Sequence, residues 1–190
     1  MIALLIDNND SFVHNLKHAL LKAGVDQVHI VHHQVAVEDL NDDFDLLVLS
    51  PGPGLPKQSG NLMAYIDRFH DKKPILGICL GHQALAEYFG ASLYQLPEVK
   101  HGISNPLKCV GKSVHSLINY NDAGVGRYHS WAVSSDGFSD CLVITAMNEM
   151  KIIMAFQHNK LPIEGWQFHP ESYLTSSGVS MLSSFLITYT

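Results

Sequence analysis

Residues 74–83 read Pro74-Ile75-Leu76-Gly77-Ile78-Cys79-Leu80-Gly81-His82-Gln83, and the rest of the chain is organised around them. Ile75 to Ile78 is a short apolar run of the kind that forms a buried strand. A Gly-x-Cys-x-Gly pattern follows, and Gln83 to Phe89 then reads as a helix that Gly90 stops. A strand, a sharp bend and a helix with one nucleophilic side chain at the bend form the nucleophile-elbow pattern, usually written with serine. Glycines at 77 and 81 keep that bend clear of side chains. A thiol at a helix N-terminus sits in a field that favours the thiolate, its reactive form. A free cysteine is also an ordinary small apolar core residue. The elbow alone therefore leaves Cys79 open between the two roles.

Working outward, the first half alternates strand and helix. Ile2 to Ile6, Val28 to Val31, Asp45 to Leu49 and Ile75 to Ile78 read as strands. Phe12, Leu16, Ala19 and Leu20 recur at helical spacing, with Asp10 or Ser11 as the expected cap and Gly24 beyond the end. Met63 to Phe69 forms the next helix. This alternation predicts an α/β fold: a mostly parallel open sheet with helices on both faces. Chemistry in such sheets lies beyond the carboxyl ends of the strands. Ser50-Pro51-Gly52-Pro53-Gly54-Leu55-Pro56 and Cys79 both fall there.

The second half changes character. Ser92–Leu96, Pro106–Cys109, Val114–Tyr120, Trp131–Ser134, Leu142–Ala146, Ile152–Phe156 and Ile163–Phe168 are short β-type runs between Gly, Asn and Asp turns. They predict antiparallel strands that extend the sheet. A closing helix carries Val179, Met181, Leu182, Phe185 and Leu186 on one face. The expected organisation is a single domain over residues 1–190.

Composition narrows the class. The chain has 190 residues, is 46% hydrophobic and 16% charged, and carries a formal net charge of -6. That describes a globular chain with no nucleic-acid footprint, since it has no Lys/Arg block. No apolar run is long enough to span a bilayer. Met1 to Asp7 lacks a basic leader and a cleavage site, so it reads as a strand and not a signal peptide. Cys79, Cys109 and Cys141 are odd in number and scattered, which favours free thiols in a reducing compartment; the expected location is cytoplasmic.

A nucleophilic cysteine needs a base and a pocket for developing negative charge. Gln167-Phe168-His169-Pro170-Glu171 follows a strand. His169 is the candidate base, and Glu171 lies close enough to fix its tautomer. Any single one of the chain's 12 histidines is weak evidence; His-Pro-Glu after a strand, combined with an elbow cysteine, is specific. The Gly52–Gly54 loop, stiffened by Pro51 and Pro53 yet free of side chains, can turn an N–H toward an oxyanion. The Leu80 N–H, next after the nucleophile, is the second donor.

Three motifs in this order, Ser50-Pro51-Gly52-Pro53-Gly54, Gly77-Ile78-Cys79-Leu80-Gly81-His82-Gln83 and His169-Pro170-Glu171, resemble a class I (triad-type) glutamine amidotransferase. The resemblance implies Cys79 as nucleophile, His169 as base and Glu171 as its partner, with Gly52 and Leu80 forming the oxyanion hole. It implies that Gln83 and the Ser130-Trp131 segment hold L-glutamine, with no cofactor and no metal.

Asp7-Asn8-Asn9-Asp10-Ser11-Phe12, Lys100-His101-Gly102 and Arg127-Tyr128-His129-Ser130 are similar to the glutaminase subunits of anthranilate synthase and aminodeoxychorismate synthase. That branch implies a chorismate-binding synthase as partner, supplied with ammonia, and low activity until the partner orders the Gly52–Gly54 loop. The chain length leaves no room for a fused synthetase, which argues against the GMP and carbamoyl-phosphate branches. Asn9, His14, Ile103 and Trp131 depart from the branch pattern, where Tyr, Tyr, Lys and Leu are usual. The alternatives are a stand-alone cysteine hydrolase of γ-glutamyl amides and a glutaminase subunit of another ammonia-dependent synthase. Among weaker signals, His14 and His18 lack a third metal ligand. His29, His32 and His33 read as strand-end surface, His82 as structural, and Cys109 and Cys141 as core.

Overall fold

The computed structural model describes residues 1–97, 102–110 and 116–189. The first half runs β1 (Ile2–Asp7), α1 (Val13–Ala23), β2 (Gln27–His32), β3 (Leu46–Leu49), α2 (Leu62–Phe69), β4 (Ile75–Ile78) and α3 (Leu80–Tyr88). The second half adds β5 (Leu93–Gln95), β6 (Ile103–Pro106), β7 (Lys108–Cys109), β8 (Gly124–Arg127), β9 (Trp131–Val133), β10 (Leu142–Met147), β11 (Ile153–His158) and β12 (Ile163–Trp166). The helix α4 (Gly178–Tyr189) follows.

Among the described residues, one eight-stranded sheet, in the order β2-β1-β3-β4-β12-β11-β10-β7, carries the fold, and two small two-stranded sheets, β5-β9 and β6-β8, lie apart from it. The strands from β2 to β12 in that order are parallel; β11, β10 and β7 continue the sheet antiparallel. The predicted mixed α/β sheet is therefore the one observed.

Both faces of the parallel part are buried, so its strands are apolar at successive positions and not at alternate ones. Alternate side chains still go to opposite faces. Ala3 and Leu5 of β1 join a core with Val13, Leu16, Ala19 and Leu20 of α1 and with Met181, Leu182, Phe185 and Leu186 of α4. Leu4 and Ile6 join the other core, with Leu62, Tyr65, Ile66 and Phe69 of α2 and Leu80, Ala84 and Leu85 of α3.

The decisive topological fact is the place of β12. It is nearly the last element in sequence, yet it pairs parallel with β4, Gly165 beside Gly77 and Trp166 beside Ile78. The carboxyl ends of β1, β3, β4 and β12 consequently share one edge, and the loops that carry Asn8, Gly52, Cys79 and His169 leave from it.

Several expectations change. The helix after the elbow begins at Leu80 and not at Gln83, so Cys79 is its N-cap residue. Neither Asp10 nor Ser11 caps α1. The N-cap is Phe12, and Asp10 instead accepts the Phe12 N–H at 2.7 Å, an Asx-type turn ahead of the helix. Ser116 to Tyr120 lie in a turn and not a strand, and 111–115 lie outside the described residues, as do Lys100 and His101. The run Pro106–Cys109 is divided between two strands of different sheets. Gly124–Arg127, too glycine-rich to read as a strand, pairs with Ile103–Pro106.

No motif or periodicity singles out Glu164. It is fully buried on β12 and accepts from the Ser116 N–H and hydroxyl, the Trp166 indole and the Tyr189 hydroxyl at 2.6–3.2 Å. Four donors answer the cost of burying a carboxylate. The arrangement ties the 116–120 turn and the end of α4 to the central sheet.

Candidate active site

Cys79 sits where β4 becomes α3, with φ 51° and ψ -98°. Such a conformation costs a side-chain-bearing residue roughly 1–3 kcal/mol, so the surroundings must enforce it. They do so by close approach. A Cβ on Gly77 would stand 2.5 Å from the Gly81 carbonyl oxygen, and one on Gly81 would stand 2.4 Å from that of Leu49. No side chain fits at either position. The Cys79 N–H bonds the Trp166 carbonyl at 2.8 Å, and the Cys79 carbonyl accepts the Gln83 N–H at 3.1 Å. The elbow is thus fastened to β12 on one side and to α3 on the other. Leu80 opens α3, so its N–H has no carbonyl one turn back within the helix.

His169 follows β12 by three residues and is buried. Its N–H bonds the Gly126 carbonyl, and its own carbonyl accepts the Thr175 hydroxyl at 2.7 Å. A Cβ on Gly178 would fall 1.8 Å from the Pro170 carbonyl oxygen, so the start of α4 is pressed directly against this loop. Imidazole Nδ1 and Glu171 Oε1 are 2.6 Å apart, and the Glu171 side chain is wholly buried. The Tyr128 ring stands edge-on to the imidazole with centroids 4.9 Å apart.

Burial pushes the imidazole toward its neutral form. The Cys79 sulfur and the Glu171 carboxylate oppose this and outweigh it, holding His169 well above the ordinary histidine range. Among the described residues, Nε2 makes no hydrogen bond of normal geometry. With Nδ1 taken by Glu171, Nε2 is the ring nitrogen left for proton transfer.

Two cavities share Cys79, Gly52, Pro53 and Tyr128. One, about 120 Å³, is completed by Gly54, Gln83, His129, Ser130 and Trp131. The other, about 330 Å³, is completed by His169, Pro51 and residues 9–12. A larger groove of about 450 Å³ runs between α1 and the 170–176 loop but does not reach the sulfur, so size alone would mislead here.

The predicted residues Gly52, Gly54, Gln83, Ser130 and Trp131 therefore gather around Cys79, and Leu80 follows it in the chain. Gly52 rests on Asn8: an added Cβ would meet the Asn8 backbone oxygen at 2.6 Å. Asn8 is itself held by Ser50, with its N–H to the hydroxyl and its amide to the Ser50 carbonyl, both 2.9 Å.

The Ser130-Trp131 clamp is stiffened from behind. The Ser130 carbonyl accepts the Leu96 N–H at 2.8 Å. The Trp131 carbonyl accepts twice, from Gln83 Nε2 at 2.9 Å and from His129 Nδ1 at 2.7 Å. The His129 tautomer follows from its other side, where Nε2 takes the Nε–H of the buried Arg127 at 3.1 Å. Burial first, and Arg127 second, lower the His129 pKa to about 3, so it is neutral. Sequence reasoning missed both residues as supports, because nothing in Arg-Tyr-His-Ser reveals a side chain reaching across a strand.

His82 is buried on the Phe156 ring and lowered to about 3, chiefly by burial, which agrees with a structural role. His14 and His18 are exposed on α1, and no group able to hold a metal occurs among the described residues. Cys109 and Cys141 are free and half-buried. His33 departs from expectation: it is buried, and with His32 it grips the Asn9 side chain at 3.0 and 2.7 Å. Asn9 has φ 62°, a backbone conformation that asparagine tolerates well.

The chain matches the family model for glutamine amidotransferase class-I over residues 4–189. It is 38% identical over 187 residues to the aminodeoxychorismate/anthranilate synthase component 2 of Bacillus subtilis, covering 98% of this chain and 96% of that one. It is 37% identical over 184 residues to the aminodeoxychorismate synthase component 2 of Escherichia coli, covering 96% and 98%. Among solved structures, a Thermoplasma acidophilum chain provisionally described as one subunit of a GMP synthase superposes with a TM-score of 0.85 at 27% identity, covering 98% and 92%. That chain is of similar length, so length does not separate the GMP branch, and sequence identity has to do so. With the family model spanning nearly every residue and the elbow, the imidazole and the carboxylate gathered at one sheet edge, this chain belongs to the class I glutamine amidotransferases.

Proposed function

We propose that the chain hydrolyses L-glutamine at Cys79 and delivers the ammonia to a chorismate-using synthase that makes anthranilate or 4-amino-4-deoxychorismate. The observation that carries this is the buried His169–Glu171 pair at 2.6 Å, with its free Nε2 under the influence of the elbow sulfur. The names of the relatives supply the partner class.

In this reading Cys79 thiolate attacks the side-chain amide carbon of glutamine. The tetrahedral oxyanion is held by the Leu80 and Gly52 N–H groups, each worth about 3 kcal/mol. Protonated His169 gives its proton to the departing nitrogen, and ammonia leaves a glutamyl thioester. Neutral His169 then takes a proton from water, which adds to the thioester; glutamate departs and the thiol is regenerated. Glu171 holds the Nδ1 tautomer and stabilises the cation throughout.

Glutamine enters the cavity lined by Gln83, Ser130 and Trp131. Both carbonyls of the clamp are already bonded within the protein, so a ligand there meets hydroxyl and N–H groups together with the Gln83 side chain. The open His169 side, lined by residues 9–12, is the proposed exit toward the partner. Asn9 and His14, two departures from the branch pattern, lie on or beside this face and bear on partner choice. Residues 1–190 are proposed to act as a single domain. The free cysteines support a cytoplasmic location, and among the described residues no helix is long and apolar enough to cross a membrane.

The test is glutamine-dependent ammonia release by the pure protein, alone and with each candidate synthase, with the chorismate-derived product identified. Stimulation by a synthase supports the reading. Full activity alone favours a stand-alone hydrolase, and no glutamine hydrolysis in any mixture overturns it.

A further inference from the structure

We infer that Gln167 is a catalytic group that donates an N–H to the Cys79 sulfur, with its amide fixed in the donating orientation by Gln83. Gln167 is fully buried between β12 and His169, and its Nε2 lies 3.6 Å from Cys79 Sγ. A buried side-chain amide beside a reactive sulfur is informative only if its two ends can be told apart. Here they can.

Gln83 Nε2 carries two hydrogens and has two acceptors, the Trp131 carbonyl at 2.9 Å and Gln167 Oε1 at 3.1 Å. The Trp131 carbonyl can only accept, so the nitrogen end of Gln83 must face it. Gln83 therefore presents a donor to Gln167, which must answer with its oxygen. The nitrogen of Gln167 is left facing the sulfur.

The chain of orientation runs further back. His129 Nδ1 donates to the same Trp131 carbonyl, and Arg127 fixes the His129 tautomer from the other side. A buried cation thus begins a line of hydrogen bonds that ends on the nucleophile. Charge-assisted bonds are the strong ones, and an N–H aimed at a thiolate is of that kind. Gln167 thus supplies the sulfur with a donor from the β12 side of the site. The same pattern of donors and acceptors leaves only Oε1 of Gln83 free for a ligand in the smaller cavity.

The inference rests on the nucleophilic role proposed for Cys79, but its test needs no glutamine. The rate at which iodoacetamide alkylates Cys79 is measured against pH in a protein whose Cys109 and Cys141 are replaced by serine. Gln167→Glu keeps the shape and the bond from Gln83 but turns the donor into an acceptor. Gln167→Met removes the polar end at similar length and remains usable if a buried glutamate prevents folding. The pH of half-maximal reactivity should rise by about 1 unit in Gln167→Met and further in Gln167→Glu. In the glutaminase assay kcat should fall at least ten-fold with KM nearly unchanged. Gln83→Met should shift the alkylation profile in the same direction and raise KM as well.

An alkylation profile unchanged in folded Gln167 variants overturns the inference. A shifted profile in a protein that never hydrolyses glutamine supports it while overturning the proposed function.

Discussion

His169 Nδ1 lies 2.6 Å from Glu171 Oε1, and the second oxygen of that buried carboxylate has no partner among the described residues. A carboxylate so placed has the imidazolium as its means of compensation. Burial alone would push His169 down, but the sulfur and Glu171 together hold it well above the ordinary histidine range. The protonated form that delivers a proton to departing ammonia therefore persists above neutral pH. Activity should fall only as pH rises through that raised value. Glu171→Gln removes the negative charge that helps hold His169 high while keeping an acceptor for Nδ1, so the alkaline limb of kcat/KM should move to lower pH and kcat should drop roughly 10²-fold or more. A pH–rate profile measured on both proteins checks this; an unmoved limb would separate Glu171 from the proton transfer.

Cys79→Ala should abolish glutamine hydrolysis and leave the fold intact. It replaces a buried, strained cysteine with a smaller residue and breaks no backbone bond. Ammonia release in the presence of a synthase is the readout. The same synthase supplied with ammonium should still form product beside the Cys79→Ala protein, because only the glutamine half-reaction is lost.

Gly81→Ala should fail structurally. The new Cβ would stand 2.4 Å from the Leu49 carbonyl and 2.6 Å from the Leu49 Cβ, and neither backbone can yield without moving β3 from β4. A loss of about 3 kcal/mol in unfolding free energy is expected, together with the elbow geometry. Gly24→Ala is the control, since a Cβ there meets nothing within 4 Å and only the positive φ is at issue. Denaturant titration of both variants distinguishes steric overlap from loss of conformational freedom.

Acid should destabilise the protein through its buried histidines. His82 and His129 are both lowered to about 3, chiefly by burial, so the unfolded chain binds more protons than the native state below about pH 6.5. Stability is therefore lost as pH falls through that window, by about 2 kcal/mol per histidine between pH 7 and pH 5. His82→Met should be less stable at pH 7 yet lose about 2 kcal/mol less than the parent on going to pH 5. Equal pH dependence in both proteins would count against a neutral His82 in the native state.

The residues that the sequence made legible share one property: their evidence is local. Gly77 and Gly81 flank Cys79 because the bend has no space for side chains, and that constraint is written within five positions. His169 and Glu171 are two residues apart, so their pairing could be read from the chain itself. The alternation of strands and helices in residues 1–90 implied the parallel sheet for the same reason. The β8 strand Gly124–Arg127 was not legible, because it is held by pairing with Ile103–Pro106 and not by its own propensity.

What the tertiary structure alone decided is the convergence. Nothing in residues 163–169 says that this strand lies between β4 and β11, parallel to β4, and not at the far edge of the sheet beyond β10. The register Gly165 to Gly77, with both glycines allowing α3 and the Phe156 and His82 rings to come close, brings the imidazole to the sulfur. The same pairing places Gln167, which sequence patterning left unassigned, between Gln83 and Cys79. Side-chain chemistry is specified residue by residue, but the distance between groups about 90 positions apart is set by which strand edges pair, and pairing is a property of the whole sheet.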